Sequence, residues 1–289
     1  MVIRLGGAGL SGDTTQKKYE RLCAILEEME GVLVAFSGGV DSTFLAFAAR
    51  RVLGERALAV TGRSVTLAHS EFEEALELAG RIGVRHRIVD TTELEVESFG
   101  NNPPNRCYFC KKELYTILRG IAEEEGLPCI ADGSNADDTG DHRPGMKAAR
   151  ELGVRSPLME AGLEKDEIRA LSKEFGLPTW DKPAMACLSS RFPYGNPITP
   201  EKIAQVEKAE SSLRALGFRQ LRIRHHGTIA RIEIPRKEMP ALFADGLADE
   251  IIRSIKNAGF TYVALDLEGF RSGSMNEVLS GRKLLAFLP

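Results

Sequence analysis

The sequence predicts an α/β fold, a doubly wound parallel sheet with a smaller C-terminal α+β domain. Three observations carry that expectation. Short apolar runs at residues 32–36, 57–61 and 85–90, with a fourth opening at Cys129, alternate with stretches of helical apolar spacing. The first run ends in Ser37-Gly38-Gly39-Val40-Asp41-Ser42-Thr43, a glycine turn that opens an alanine-rich helix. Beyond Thr199 the order changes to helix, strand, strand, helix, strand. The expected division is a flexible segment over 1–18, the α/β domain over 19–196 and the α+β domain over 197–289.

Composition bounds the function. The 289 residues are 43% hydrophobic and 27% charged with a net charge of −3, the balance of a soluble chain with ample core. Nothing in that balance calls for nucleic acid or a membrane surface. Residues 1–16 hold Gly, Ser and Thr and no long apolar core, so they read as neither signal peptide nor spanning segment. Five cysteines stand at 23, 107, 110, 129 and 187. An odd set of this kind suggests a reducing cytoplasm, with thiols used for metal or chemistry rather than disulfides.

Leu22, Cys23, Ile25, Leu26 and Met29 recur at helical spacing and predict a first helix over 19–29, with Cys23 as a small core residue. The strand over 32–36 then meets the glycine turn. Such a turn makes an anion site: glycines let backbone N–H groups approach phosphate oxygens, and the helix N-terminus adds partial positive charge. The hydroxyls of Ser37, Ser42 and Thr43 add donors. The plain alternative is an ordinary strand-to-helix turn capped by Asp41 or Ser42. The second strand runs into Gly62-Arg63-Ser64, which places Val60, Thr61 and Ser64 at the sheet's carboxyl edge, where an adenine would lie.

Residues 101–112 break the alternation. Pro103 and Pro104 extend the chain, and Cys107 and Cys110 form a CxxC at the start of a helix over 111–124. Core cysteines, a redox dithiol and a zinc pair compete for this motif. The strand context differs from that of thioredoxin, and no second CxxC supplies zinc. With a third thiol elsewhere the pair would make a three-cysteine iron–sulfur site. The fourth strand leads into an acidic loop over 132–138, where Asp132 is a candidate Mg²⁺ ligand beside Gly133, and Arg143 adds positive charge. A solvated acidic turn is the alternative. The charged face after Glu164 reads as a solvated exterior.

The second chemical centre is the loop over 181–195. Cys187 stands between Lys182 and Arg191, charges that favour thiolate; a linker with a buried cysteine is the alternative. In the hairpin that follows, Arg222 and Arg224 share a face opposite Leu221 and Ile223, with Arg231 nearby. Two guanidiniums so placed suit a phosphate or carboxylate, an exposed basic strand being the alternative. A helix over 240–258 and a strand over 260–267 complete the domain.

The string SGGVDS at 37–42 resembles the pyrophosphate loop of the N-type ATP pyrophosphatases (PP-loop), and departs from the P-loop, whose lysine is absent. Joined with ADGSNADD at 131–138, KPAMACLSSRFPYG at 182–195, RIRHHG at 222–227 and LDLEGFRSGSMNE at 265–277, it gives the whole chain a resemblance to the LarE family of ATP-dependent sulfur transferases. The resemblance implies that ATP with Mg²⁺ adenylates a carboxylate of pyridinium-3,5-biscarboxylic acid mononucleotide, that sulfur then displaces AMP, and that the second carboxylate follows. It puts Ser37, Gly38, Gly39, Asp41, Ser42, Thr43, Thr61, Ser64, Gly133 and Arg143 around ATP, and Arg191, Arg222 and Arg224 on the substrate phosphate. Cys107, Cys110 and Cys187 would hold a [4Fe-4S] cluster whose fourth iron is open to sulfide, supplied as such or by a sulfur-donating protein. In the other form of the family Cys187 sacrifices its own sulfur and becomes dehydroalanine. A homo-oligomer is expected. A tRNA thiolase would want a basic face that a net charge of −3 does not supply. An ammonia-using synthetase leaves the cysteines unexplained, and a nucleotide sensor would bind ATP without releasing pyrophosphate.

Overall fold

Alternate residues of β1 (Val32–Ala35) and β2 (Ala57–Arg63) feed two cores. Val32, Val34, Ala57 and Ala59 pack on one side with Leu22, Leu26, Phe44 and Leu45, while Leu33, Leu58 and Val60 pack on the other with Tyr115, Leu118 and Ile121. Burial of both faces is what a parallel sheet requires. The structure, a computed structural model, describes residues 12–140, 144–184, 186–244, 246–271 and 273–278.

With β3 (Arg85–Asp90) and β4 (Cys129–Ala131), these strands form a four-stranded sheet in the order β3-β2-β1-β4, every neighbouring pair parallel. The expected strands and doubly wound arrangement are all present. Helices α1 (Gly12–Glu28), α2 (Val40–Leu53), α3 (His69–Ile82), α7 (Pro157–Glu160) and α8 (Lys165–Glu174) contribute to the first core, and α5 (Arg106–Glu124) and α6 (Pro144–Glu151) to the second. After β3 the chain returns to lay β4 on the opposite side of β1. The carboxyl ends of β1 and β4 therefore flank a topological switch point, the place where open α/β sheets take ligands. Helix α1 begins at Gly12, so residues 12–18, expected to be flexible, are helical, and 1–11 lie outside the described residues.

The chain divides into two compact units. One comprises Met1–Ser64, His69–Glu93 and Asn105–Ala184; the other comprises Val65–Ala68, Leu94–Pro104 and Met185–Pro289. A single boundary at 196/197 was the sequence expectation. Instead the Cys187 loop falls in the second unit, together with two stretches from the N-terminal half, one of which carries the short α4 (Glu97–Gly100).

In the second unit β5 (Arg222–His226) pairs antiparallel with β6 (Ile229–Glu233), and β7 (Tyr262–Leu265) pairs parallel with β6. Thr199 caps α9 (Pro200–Ala215) by accepting from the Lys202 N–H at 3.4 Å, with Pro200 in the first turn. The helix expected over 240–258 is interrupted. A 3₁₀ turn spans Arg236–Phe243, and α10 (Leu247–Asn257) starts only after Gly246, whose φ of 77° is left-handed.

Candidate active site

Between β1 and α2 the chain turns over residues 36–39 at the switch point. Gly38 has φ 68°, and a Cβ there would meet the Cβ of Ala75 in α3 at 3.0 Å, so glycine is required twice over. Ser42 Oγ accepts from the Ser37 N–H at 3.2 Å, donates to the Gly39 carbonyl at 3.2 Å and lies 3.1 Å from Ser37 Oγ. These bonds hold the turn from inside. Thr43, expected to offer its hydroxyl to phosphate, is fully buried. Among the described residues, no group takes the backbone N–H of Val40, Asp41 or Ser42. Three open donors at a helix N-terminus form an anion cradle.

The acidic loop closes on that cradle. Where a Cβ of Gly133 would stand, Ser42 N lies at 2.9 Å and Asp41 C at 3.3 Å. Asp132 fixes the approach: Oδ1 accepts from Ser134 N at 3.1 Å and Ser156 Oγ at 2.8 Å, and Oδ2 accepts from the Tyr115 hydroxyl at 3.1 Å. Burial pushes the Tyr115 phenol up to about 12, so it keeps the proton it donates. Asp132, expected on Mg²⁺, is thus engaged by three donors of the fold. Asp41 is more open. Its Oδ2 pairs with Lys165 Nζ at 2.5 Å and its Oδ1 accepts from Asn135 Nδ2 at 3.3 Å. Lys165 was expected on a solvated face. The signal for it was a lysine in the first turn of α8, where positive charge opposes the helix dipole. Arg143 lies outside the described residues.

β2 pairs with β1 as far as Val60 and then runs on to Arg63. The Thr61 hydroxyl donates to the Phe36 carbonyl at 3.0 Å and lies 2.9 Å from His86 Nε2, while Ser64 Oγ donates to Glu93 Oε1 at 2.5 Å. Both expected side chains are engaged within the fold, and over 61–63 β2 pairs with β3 but not with β1.

Helix α5 starts at Arg106 rather than 111, so Cys107 and Cys110 lie within its N-terminal end, three residues apart on one face. Cys107 is exposed and Cys110 half-buried. Cys23 and Cys129 pack against the first core, as expected of structural thiols. Among the described residues, no three His, Cys, Asp or Glu side chains are gathered as metal ligands.

In the second unit Cys187 is exposed and directly precedes a 3₁₀ turn over Leu188–Arg191. The loop is held by its backbone. Leu188 N donates to the Thr66 carbonyl at 2.8 Å, and Arg191 Nη1 donates to the carbonyls of Ala186 at 2.6 Å and Cys187 at 3.2 Å. Asn102 Nδ2 reaches the carbonyls of Phe192, Pro193 and Asn196 at 3.3, 2.8 and 3.1 Å. Asn102 is fully buried with φ 54°, a conformation asparagine tolerates.

Arg191, expected on the substrate phosphate, is 1% exposed and grips Glu210 with Nε and Nη2 at 2.8 and 2.9 Å. Glu210 also accepts from Ile223 N at 3.0 Å and Arg214 Nη2 at 3.2 Å. Burial alone would raise the Glu210 carboxyl; Arg191 and the Ile223 N–H bring it below the usual range. The spacing of Ile203, Val206, Glu210 and Leu213 already put a glutamate on the buried stripe of α9. Glu210→Ala strands Arg191 without its counter-charge and is expected to cost about 3–5 kcal/mol, read as a lower urea midpoint at unchanged m-value.

The hairpin is not the exposed basic strand of the alternative reading. Arg224 is 1% exposed, with Nη2 on Glu233 at 2.7 Å and Ser274 Oγ at 2.8 Å, and Nη1 on the Ser190 carbonyl at 2.8 Å. Arg222 is half-buried, its guanidinium 5.1 Å from the Phe270 ring centre, and it has no hydrogen bond or ion pair among the described residues. Burial, then the charges of Arg191 and Arg224, push Arg222 down to about 10. Arg224 Nε and Ser189 Oγ are buried without partners among the described residues. A positive, under-satisfied centre of this kind favours an anion.

The family model described as NAD synthase matches residues 21–120, which hold the glycine turn and the CxxC. The pyridinium-3,5-bisthiocarboxylic acid mononucleotide synthase of Lactiplantibacillus plantarum, a LarE protein, is 42% identical over 277 residues, 95% of this chain and 99% of its own. The chain belongs to the LarE family. An uncharacterized protein of Synechocystis sp. is 46% identical over 265 residues, covering 92% of this chain and 99% of that protein. A subunit of the glutamine-hydrolyzing GMP synthase of Archaeoglobus fulgidus is 28% identical over 198 residues, 61% of this chain and 62% of its own. The LarE likeness spans nearly the whole chain, so it takes in the Cys187 loop and the hairpin as well as the pyrophosphate loop. LarE membership makes this an enzyme that uses ATP with Mg²⁺. No helix among the described residues is long and apolar enough to cross a membrane.

Proposed function

We propose that this LarE-family enzyme is an ATP-dependent sulfurtransferase that adenylates the carboxylates of pyridinium-3,5-biscarboxylic acid mononucleotide and converts them to thiocarboxylates, a step toward the nickel-pincer nucleotide of lactate racemase. The observation that carries this reading is the anion cradle of Val40, Asp41 and Ser42 at the switch point, in a chain so similar to a synthase of that product.

A carboxylate resists sulfur attack until one of its oxygens is made a good leaving group. A substrate carboxylate oxygen bonds to the α-phosphorus of ATP, the bond from that phosphorus to the bridging oxygen breaks, and pyrophosphate leaves with the electron pair. The N–H donors of α2 and the Lys165 ammonium stabilise that charge. Mg²⁺, when bound, neutralises the same oxygens, and the partly exposed Asp41 is the residue that would hold it. A sulfur nucleophile then bonds to the activated carbon and AMP departs. Arg222 holds the phosphate of the mononucleotide, with Arg224 fixed behind it by Glu233.

Cys107, Cys110 and Cys187 are the proposed ligands of a [4Fe-4S] cluster; two thiols one turn apart on α5 fit that role. When bound, such a cluster supplies an open iron that carries exchangeable sulfide.

The test begins with pyrophosphate release, expected to require both ATP and the mononucleotide; release without the mononucleotide, or none with it, sinks the reading. Anaerobic purification with iron and acid-labile sulfide analysis addresses the sulfur. About four irons per chain, lost in Cys107→Ala or Cys110→Ala, are expected. No iron after reconstitution, with a mass loss of one H₂S at Cys187 after turnover, would make Cys187 the donor. Arg222→Ala removes a charged hydrogen-bond partner worth about 1.5–3 kcal/mol, so the KM for the mononucleotide is expected to rise at least about tenfold while the KM for ATP holds.

A further inference from the structure

Lys182 is a buried cation of the first compact unit, and the reaction above gives it no role. Its ammonium pairs with Glu71 and Glu74 of α3 at 2.9 Å each and donates to the Gly38 carbonyl at 3.2 Å. An ammonium has three N–H donors, and three acceptors stand here to meet them, which is what makes a buried lysine tolerable. Arg169 of α8 holds the backbone beneath it, donating to the carbonyls of Trp180 at 2.6 Å and Lys182 at 2.7 Å. Both cations, both glutamates and the glycine turn lie in the same unit.

The bond to Gly38 matters for what shares its peptide. A trans peptide is planar, with its C=O and the following N–H on opposite sides. Turning the Gly38 oxygen toward Lys182 therefore turns the Gly39 N–H away from it, where it makes a long contact of 3.4 Å with Ser37 Oγ. Gly39 is the N-cap of α2. The N–H of an N-cap residue lies beside those of the first helical turn, close enough for one capping-box carboxylate to reach it.

The neighbouring peptides of the turn are fixed by other means. Ser42 Oγ accepts from the Ser37 N–H and donates to the Gly39 carbonyl, which also accepts from Thr43 N at 2.9 Å. Among the described residues no backbone N–H takes the Gly38 carbonyl. With glycine on both sides, this peptide can flip without a side-chain clash. Gly38 already has φ 68°, and a flip carries the φ of Gly39 from −76° into positive values that glycine accepts. The flipped form aims an oxygen at the cradle where an N–H had stood.

We infer that Lys182 is a positioning residue that holds the Gly38–Gly39 peptide against this flip and so makes the Gly39 N–H a fourth donor to the phosphates of ATP. The assignment rests on the ATP reading of the glycine turn. Lys182 touches no phosphate itself. Its charge draws the negative end of one peptide dipole inward, which leaves the positive end facing the anion. The cradle is then set before nucleotide arrives, with no reorganisation left for the moment of reaction.

The test is the affinity of the full chain for α,β-methylene-ATP with Mg²⁺, measured by equilibrium dialysis, beside a urea melt of each variant. Lys182→Met is expected to weaken binding at least about tenfold, the scale of one charge-assisted hydrogen bond. That variant also strands Glu71 and Glu74, so a second one combines it with Glu71→Gln and Glu74→Gln and serves if the first does not fold. The triple variant is expected to regain stability while its affinity stays about tenfold low. A triple variant that binds as the wild type does would make Lys182 a mere counter-ion for α3 and overturn the inference, as would wild-type affinity in Lys182→Met. A wild type that binds no analogue overturns the ATP reading of the turn, which is a separate outcome.

Discussion

Replacing Cys187 by alanine is expected to abolish thiocarboxylate formation and leave adenylation running. The loop is held through main-chain atoms, the carbonyls of Ala186 and Cys187 and the N–H of Leu188, and an alanine keeps every one of them. The thiol is exposed, so its removal opens no core cavity. The melting temperature should therefore stay at the wild-type value. Both sources of sulfur considered above need this thiol, as ligand or as donor. Product is followed by mass spectrometry and pyrophosphate by a coupled assay. Thiocarboxylate formed at the wild-type rate would remove Cys187 from the chemistry altogether.

Gly133→Ala is the second large effect, and it acts without touching a reactive group. Its Cβ would stand 2.9 Å from the backbone nitrogen of Ser42, closer than such atoms pack. The acidic loop cannot simply retreat, because Asp132 is anchored to Tyr115, Ser134 and Ser156. The strain falls on the Ser42 N–H, one of the three donors of the cradle. Misplacing such a group by about 1 Å costs on the order of 10²-fold in rate, so kcat for pyrophosphate release is expected to fall by about that factor. Gly80→Ala, in the interior of α3 with open space around it, is the control and should be neutral or slightly stabilising. A Gly133→Ala enzyme within about twofold of wild type would mean that the two loops do not set each other's position.

The strands of the sheet were legible because apolar runs of that length have one economical burial, and the glycine turn because anion binding restricts which residues can stand there. Lys165 was hidden by distance: its partner Asp41 lies 124 residues away, and no local spacing announces such a pairing. Asn102 likewise reads as one more polar residue of a proline-rich loop until its contacts some 90 residues downstream are seen. The hairpin shows a different limit. Alternation placed Arg222 and Arg224 on one face, and the register agrees. It says nothing about what covers a face, and here Ser190, Glu233 and Ser274 take up Arg224 and leave Arg222. Glu210 was readable in principle, since a glutamate on an apolar stripe demands a buried cation; which arginine answers it depends on tertiary structure.

The interleaving of the second unit has a consequence for how this chain can be cut or inherited. Thr66 takes the Leu188 N–H, the Gly100 carbonyl takes the Ile198 N–H, and Asn102 accepts from Gly195 N while binding three carbonyls of the same loop. A fragment that began after Ala184 would lack all of these partners. No end-to-end splice of two independent modules produces such a unit, and a split-protein reporter cut there would not reassemble by simple docking. The nucleotide-type sheet and the cysteine loop must be made, folded and passed on as one piece. Folding of the second unit must also wait for contacts about 90–120 residues apart in sequence, which favours slow closure over rapid local assembly.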